Sequence, residues 1–180
     1  MNAIILPGNS ISNQRWVMAL RETLLPVFKT IHAVSYEHWL SGAPIVDIGK
    51  ELGRLFLGDE EKIIVESPYA IIAKSAGVLI ATRGIFQGRL MPEKCVFIGS
   101  AIPWGEEIGC PVWTWFDKFK PPAFFIQNTH DSVMGSKELR HFLIETKAVN
   151  WQLHELLGND HDYSNIGGLA ALIKQFVVAE

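Results

Sequence analysis

The sequence predicts an α/β fold, a three-layer sandwich in which a mostly parallel six-stranded sheet carries helices on both faces. Three observations predict it. Short apolar runs alternate along the chain with segments of helical period. Those runs are apolar at consecutive positions, as expected of strands buried on both faces. No repeat or low-complexity linker breaks the pattern, so residues 1–180 are expected to form a single domain.

In chain order, Ala3 to Leu6 marks a first strand over 2–6, followed at once by PGNS and by a helical segment over 13–25. A second strand is expected over 31–35 and a helix over 46–57. The apolar run ending at Ala73 gives a third strand, 69–74. From Ala76 onward, Val78, Leu79, Ala81 and Thr82 fall at the spacings of a buried helix face, giving a helix over 76–87. Apolar runs at Cys95 to Ile98, Ala123 to Gln127 and Val149 to Leu157 mark strands over 94–99, 122–127 and 149–156. Helices are expected over 135–147 and 165–178, and 101–122 is the one long connection without clear periodicity.

The change of period in YAIIAKSAGVLIA leaves Ser75 between the small residues Ala73 and Gly77. A serine on so sharp a strand-to-helix turn is held in a strained conformation that pushes its hydroxyl out of the sheet. Side chains two residues either side would collide unless small. Ser75 is therefore the candidate nucleophile, although a serine capping a helix after a strand would leave the same local pattern.

Its partners follow in the order the chemistry requires. QNTHDSVMG puts Asp131 in the turn after the fifth strand, and GNDHDYSN puts His161 in the turn after the sixth. Ser75, Asp131 and His161 thus keep the chain order Ser…Asp…His of α/β-hydrolases, each just past the carboxyl end of a strand. In that logic His161 takes the proton of Ser75, Asp131 fixes its tautomer, and the serine oxygen attacks an acyl carbon. The loop after the first strand supplies candidate oxyanion donors, the backbone N–H of Asn9 or Ser10 beside that of Ala76. Gly8 would allow close backbone approach there, though PGNS alone is also an ordinary turn.

IILPGN, AIIAKSAGV, FFIQNTHDSVMG and LLGNDHDYSN, in this order over nearly the whole chain, resemble the small lidless α/β-hydrolases typified by retinoblastoma-binding protein 9. The resemblance implies an α/β-hydrolase-like fold and a serine hydrolase without cofactor, with Ser75, Asp131 and His161 at the triad positions. It also implies a second strand beside the first with the others on the far side, so that PGNS and Ser75 share the switch point where open α/β sheets bind ligands. The family usually carries G-H-S-x-G at the elbow, where this chain has Ala73 and Lys74. No Leu-x-Cys-x-Glu segment is present to dock on a retinoblastoma-type partner.

A chain of 180 residues with net charge −3 should bury about 70% of its extended surface. The absence of a basic block argues against an electrostatically driven nucleic-acid or anionic-membrane binder. With no span-length apolar run and no signal peptide, the expected location is cytoplasmic. Cys95 and Cys110 read as free thiols rather than a disulfide or metal set. The run Asn159 to Asp162 lacks the second histidine of a zinc motif, so no metal is expected.

The substrate is expected to be a small molecule. Trp104, Trp113, Trp115 and Phe116 in the 101–122 connection are candidate wall residues for its acyl or leaving group, or else a satellite core. His130 is a candidate substrate contact. Lys74 would favour an anionic substrate or the oxyanion if its ammonium reaches the site, and otherwise points to solvent. Two alternatives stand beside hydrolysis: an acyltransferase and a hydrolase-fold binding protein without turnover. A nucleotide-binding module is disfavoured because neither G-x-G-x-x-G nor a P-loop motif occurs. Oligomeric state is not readable from the chain.

Overall fold

The structure is a computed structural model and describes residues 1–55 and 67–179. Six strands, β1 (Asn2–Leu6), β2 (Ile31–Ala33), β3 (Tyr69–Lys74), β4 (Lys94–Ile98), β5 (Ala123–Asn128) and β6 (Trp151–Leu156), form one sheet. Their order is β2-β1-β3-β4-β5-β6 and every pairing is parallel. The chain reverses its winding direction between β1 and β3, which makes their carboxyl ends the switch point.

Side-chain parity divides the core in two. Ile4, Leu6, Ile71, Ala73, Cys95, Phe97 and Phe125 face one layer; Ala3, Ile5, Ala70, Ile72, Val96, Ile98 and Ile126 face the other. The first layer holds α3 (Ile48–Arg54), α4 (Ala76–Phe86) and α7 (Ser136–Glu145), and the second holds α1 (Asn13–Leu24) and α8 (Ile166–Val178). Each helix buries a stripe that its sequence period supplies; in α1 these are Trp16, Val17, Leu20 and Leu24.

The structure departs from the sequence pattern at short elements. The strand expected over 31–35 ends at Ala33, because the chain turns off the sheet edge to bring the Tyr36 hydroxyl to the Pro7 carbonyl at 2.7 Å. The helix expected over 46–57 begins at Ile48, where the Asp47 carboxylate accepts the Lys50 N–H at 2.9 Å. Its expected last residues, 56 and 57, lie outside the described residues. A four-residue helix, α2 (His38–Ser41), precedes it. The stretch 101–122 contains two helices, α5 (Ile102–Glu107) and α6 (Val112–Phe116). Neither completes two turns, too little for a helical period to register. Among the described residues, no helix is long and apolar enough to cross a membrane.

Candidate active site

The site is built where β3 meets α4. The ladder carries one bond beyond β3, Ser75 N–H to the Ile98 carbonyl at 3.0 Å, and then the chain turns. Ser75 adopts φ 52° and ψ −116°, a conformation disfavoured for any side chain and typical of strained functional positions. Although Ser75 is the N-cap of α4, its hydroxyl makes no capping bond. It faces His161 instead, with Oγ and Nε2 2.9 Å apart.

The opposite edge of the imidazole meets the acid. His161 Nδ1 lies 2.8 Å and 2.9 Å from the two oxygens of Asp131. With the proton on Nδ1, Nε2 is left as the acceptor for the Ser75 O–H. The Asp131 side chain is fully buried and that of His161 is 21% exposed, so solvent reaches the pair only at the imidazole.

Four donors converge on Asp131: His161, the N–H groups of Val133 (2.8 Å) and Met134 (3.3 Å), and the Tyr163 hydroxyl (2.6 Å). Burial alone would raise its carboxyl. The bonds from His161, Tyr163 and Val133 outweigh burial and hold it below the ordinary carboxylate range, as an acceptor-only anion. Gln127 braces this loop, donating to the Met134 carbonyl at 2.6 Å and accepting the Ser100 N–H at 2.8 Å. Asp160 and Asp162, on the histidine loop, are exposed. Asp160 accepts the N–H groups of Asp162 and Tyr163, fixing the turn that presents the ring.

The oxyanion candidates adjoin the elbow. Ala76 is fully buried as the first residue of α4, whose first-turn N–H groups have no intrahelical acceptor. Gly77 lets that turn press on the end of β1: a Cβ there would lie 2.3 Å from the Leu6 carbonyl oxygen and 2.8 Å from that of Pro7. Beyond β1, donors from elsewhere take the loop carbonyls. Pro7 O accepts Tyr36, Asn9 O accepts His38 Nε2 and Trp39 Nε1 (both 2.8 Å), and Ser10 O accepts Asn13 Nδ2 (3.0 Å). In a trans peptide the next N–H points opposite its carbonyl, so these bonds fix the Gly8 and Ser10 N–H directions. The Asn9 side chain is spent on Pro44 and Val46, and Ser10 is exposed. A Cβ on Gly8 would lie 3.0 Å from the Asn13 amide nitrogen, so the glycine lets that side chain come close to the loop.

Lys74 takes neither expected course. It is buried, its ammonium donates to Asn13 Oδ1 at 2.8 Å, and it lies 5.2 Å above the Trp16 ring. Strand parity explains this, since Lys74 shares a face with Ala70 and Ile72, under α1. Burial pulls its ammonium down to about 8, against the opposing attraction of Asp162, Asp131 and Asp160. Asn13, the hub joining Lys74 to the Ser10 carbonyl, was not among the expected site residues; a polar residue opening an apolar helix face was its signal.

The aromatic connection divides. Trp115 and Phe116 are core, 6% and 0% exposed. This corrects their expected place in a substrate wall, because α6 turns its apolar side onto the first layer. Trp113 is 43% exposed and stacks edge-on with Phe142 of α7, their centroids 4.8 Å apart. Trp104 is half-buried on α5, just past the carboxyl end of β4. His130 is exposed beside Asp131 and its backbone N–H donates to Gly158. Cys95 is buried and Cys110 half-buried, both free. Among the described residues, no group of three His, Cys, Asp or Glu side chains is placed to hold a metal ion.

The chain has the α/β-hydrolase fold. It is similar to Est1E from Butyrivibrio proteoclasticus, a structure with ferulic acid bound, at TM-score 0.75 and 14% identity, over 98% of this chain and 88% of that one. It is similar to α/β-hydrolase domain-containing protein 10 from mouse, at TM-score 0.70 and 13% identity, over 98% and 89%. The Pyrococcus furiosus esterase Pf2001 matches at TM-score 0.70 and 18% identity, over 98% and 81%. No protein-family profile and no curated protein sequence matches the chain.

Proposed function

We propose that the chain is a serine hydrolase that cleaves a small ester, amide or thioester through an acyl-enzyme. The observation that carries this is the continuous chain Ser75 Oγ, His161 Nε2, His161 Nδ1, Asp131, with contacts of 2.9 and 2.8 Å and the serine at positive φ. His161 accepts the hydroxyl proton as Ser75 Oγ bonds to the acyl carbon. Asp131 steadies the imidazolium, and the proton then passes to the leaving group. The oxyanion is met by the N–H of Ala76 and one from Asn9 or Ser10, and water repeats the sequence to free the acid. The esterases among the similar structures support the reading, as does the resemblance to the retinoblastoma-binding protein 9 family.

The test pairs a fluorophosphonate probe with p-nitrophenyl esters of graded chain length. Covalent label on Ser75 with ester turnover, both lost in a folded Ser75→Ala chain, is the expected result. An unlabelled wild-type chain, or equal turnover by Ser75→Ala, removes the serine-hydrolase reading.

A further inference from the structure

We propose that Tyr163 is a positioning residue of this centre: its phenol holds the second oxygen of Asp131 and thereby limits how strongly the acid supports a proton on His161. The proposal rests on the reading of Ser75, His161 and Asp131 as a triad. Tyr163 donates to Asp131 Oδ2 at 2.6 Å and accepts the Asn128 N–H at 2.9 Å, so the phenol proton has one direction to point. Burial, and next the bond to Asp131, push the phenol's ionisation far up, which keeps it a donor.

Three features hold the ring there. Tyr163 has φ 53°, an outlier for a bulky side chain. Gly99 lacks the Cβ that would lie 2.5 Å from the ring's Cε2. The Trp16 indole reaches across 147 positions to donate to the Tyr163 carbonyl at 2.9 Å. The ring itself stands edge-on to His161, centroids 6.0 Å apart at 80°. These three hold the backbone and the ring; the hydroxyl adds its own two bonds, to Asp131 and from Asn128, which a phenylalanine in the same place would lack. The phenol therefore acts on Asp131, and through it on the imidazole.

The sign follows from charge. A donor on Oδ2 draws electron density from the carboxylate and weakens its support of an imidazolium; removing it strengthens that support. The other charged or titratable groups around the pair are Lys74 of β3, Asp160 and Asp162 of the histidine loop, and His130 next to Asp131. Tyr163→Phe leaves all four in place.

The experiment follows the His161 ring by NMR titration in a Ser75→Ala chain carrying Tyr or Phe at 163, and the acidic limb of kcat/KM in chains that retain Ser75. With Phe, both midpoints are expected to rise by half a pH unit or more, and kcat to fall about tenfold with KM changed less than twofold. Coincident NMR midpoints overturn the proposal. Should Tyr163→Phe not fold, 3-fluorotyrosine replaces the tyrosines of the unmutated chain: the more acidic phenol donates more strongly, so the His161 midpoint must fall, and an unmoved midpoint overturns the proposal. Tyr36 and Tyr69 bond to Pro7 and Met91, not to Asp131 or His161. An unlabelled Ser75 alongside a shifted His161 midpoint would sink the hydrolase reading while leaving the Tyr163–Asp131–His161 coupling standing.

Discussion

Ser75 and His161 lie 86 positions apart in sequence and 2.9 Å apart in space, and the serine gives up a helix-capping bond to make that contact. Together with Asp131 they should behave as one unit. The double change Asp131→Asn with His161→Ala should cost little more in kcat than His161→Ala alone, since the acid acts only through the ring. Losses that multiply would assign Asp131 a separate role. The measurement is kcat for the two single variants and the double variant on one ester.

The two small flanks of the elbow are unequal. Ala73 turns its methyl into the core with Leu6 and Ile71, whereas any side chain at 77 meets the Leu6 carbonyl. Ala73→Gly should therefore cost about 1–2 kcal/mol, from backbone entropy and the lost buried methyl. Gly77→Ala should cost about 1–3 kcal/mol or more from overpacking and should reduce turnover by displacing the Ala76 N–H. Urea denaturation of both variants orders them, and equal costs would contradict the close contact.

Lys74 gives the fold a pH signature. Its ammonium is lowered from 10.5 to about 8 in the folded chain, so between these values the unfolded chain binds more protons. Stability from this group must then rise with pH across that window, the burial penalty being fully present below pH 8. Relative to Lys74→Met, the wild-type chain should gain up to about 2 kcal/mol between pH 7.5 and 9.5. A difference between the two chains that stays flat with pH would mean that the ammonium is not penalised by its burial under α1.

The aromatic rings should separate by task. Trp115→Ala and Phe116→Ala should each cost about 3–5 kcal/mol of stability and leave the butyrate-to-acetate ratio of kcat/KM unchanged. Trp104→Ala should lower that ratio, because each buried methylene is worth about 0.8 kcal/mol, roughly fourfold. A constant ratio in all three would assign Trp104 to packing as well.

The six strands and the elbow are legible because consecutive apolar runs and a small-x-Ser-x-small spacing are local signals. Helices α2, α5 and α6 are not, being too short for a period. Composition could not divide the rings of 101–122 between core and surface, since Trp115 and Trp113 differ only in which side of one turn they occupy. The brace residues Asn13, Tyr36, Gln127 and Tyr163 escaped for another reason. Apart from the short Gln127–Met134 and Asn13–Ser10 links, their side-chain polar contacts join segments 27 to 61 positions apart, and no spacing rule reports a partner that distant.

The tied carbonyls of Pro7, Asn9 and Ser10 carry a consequence for how the centre meets a ligand. Tyr36, His38, Trp39 and Asn13 reach this loop from two other segments of the chain, so its peptide planes are oriented by folding rather than by whatever arrives beside Ser75. Were negative charge to develop beside Ser75, the dipoles there would need little rotation. For a reaction at Ser75, the reorganisation that water would otherwise have to perform would already have been completed in the making of the fold.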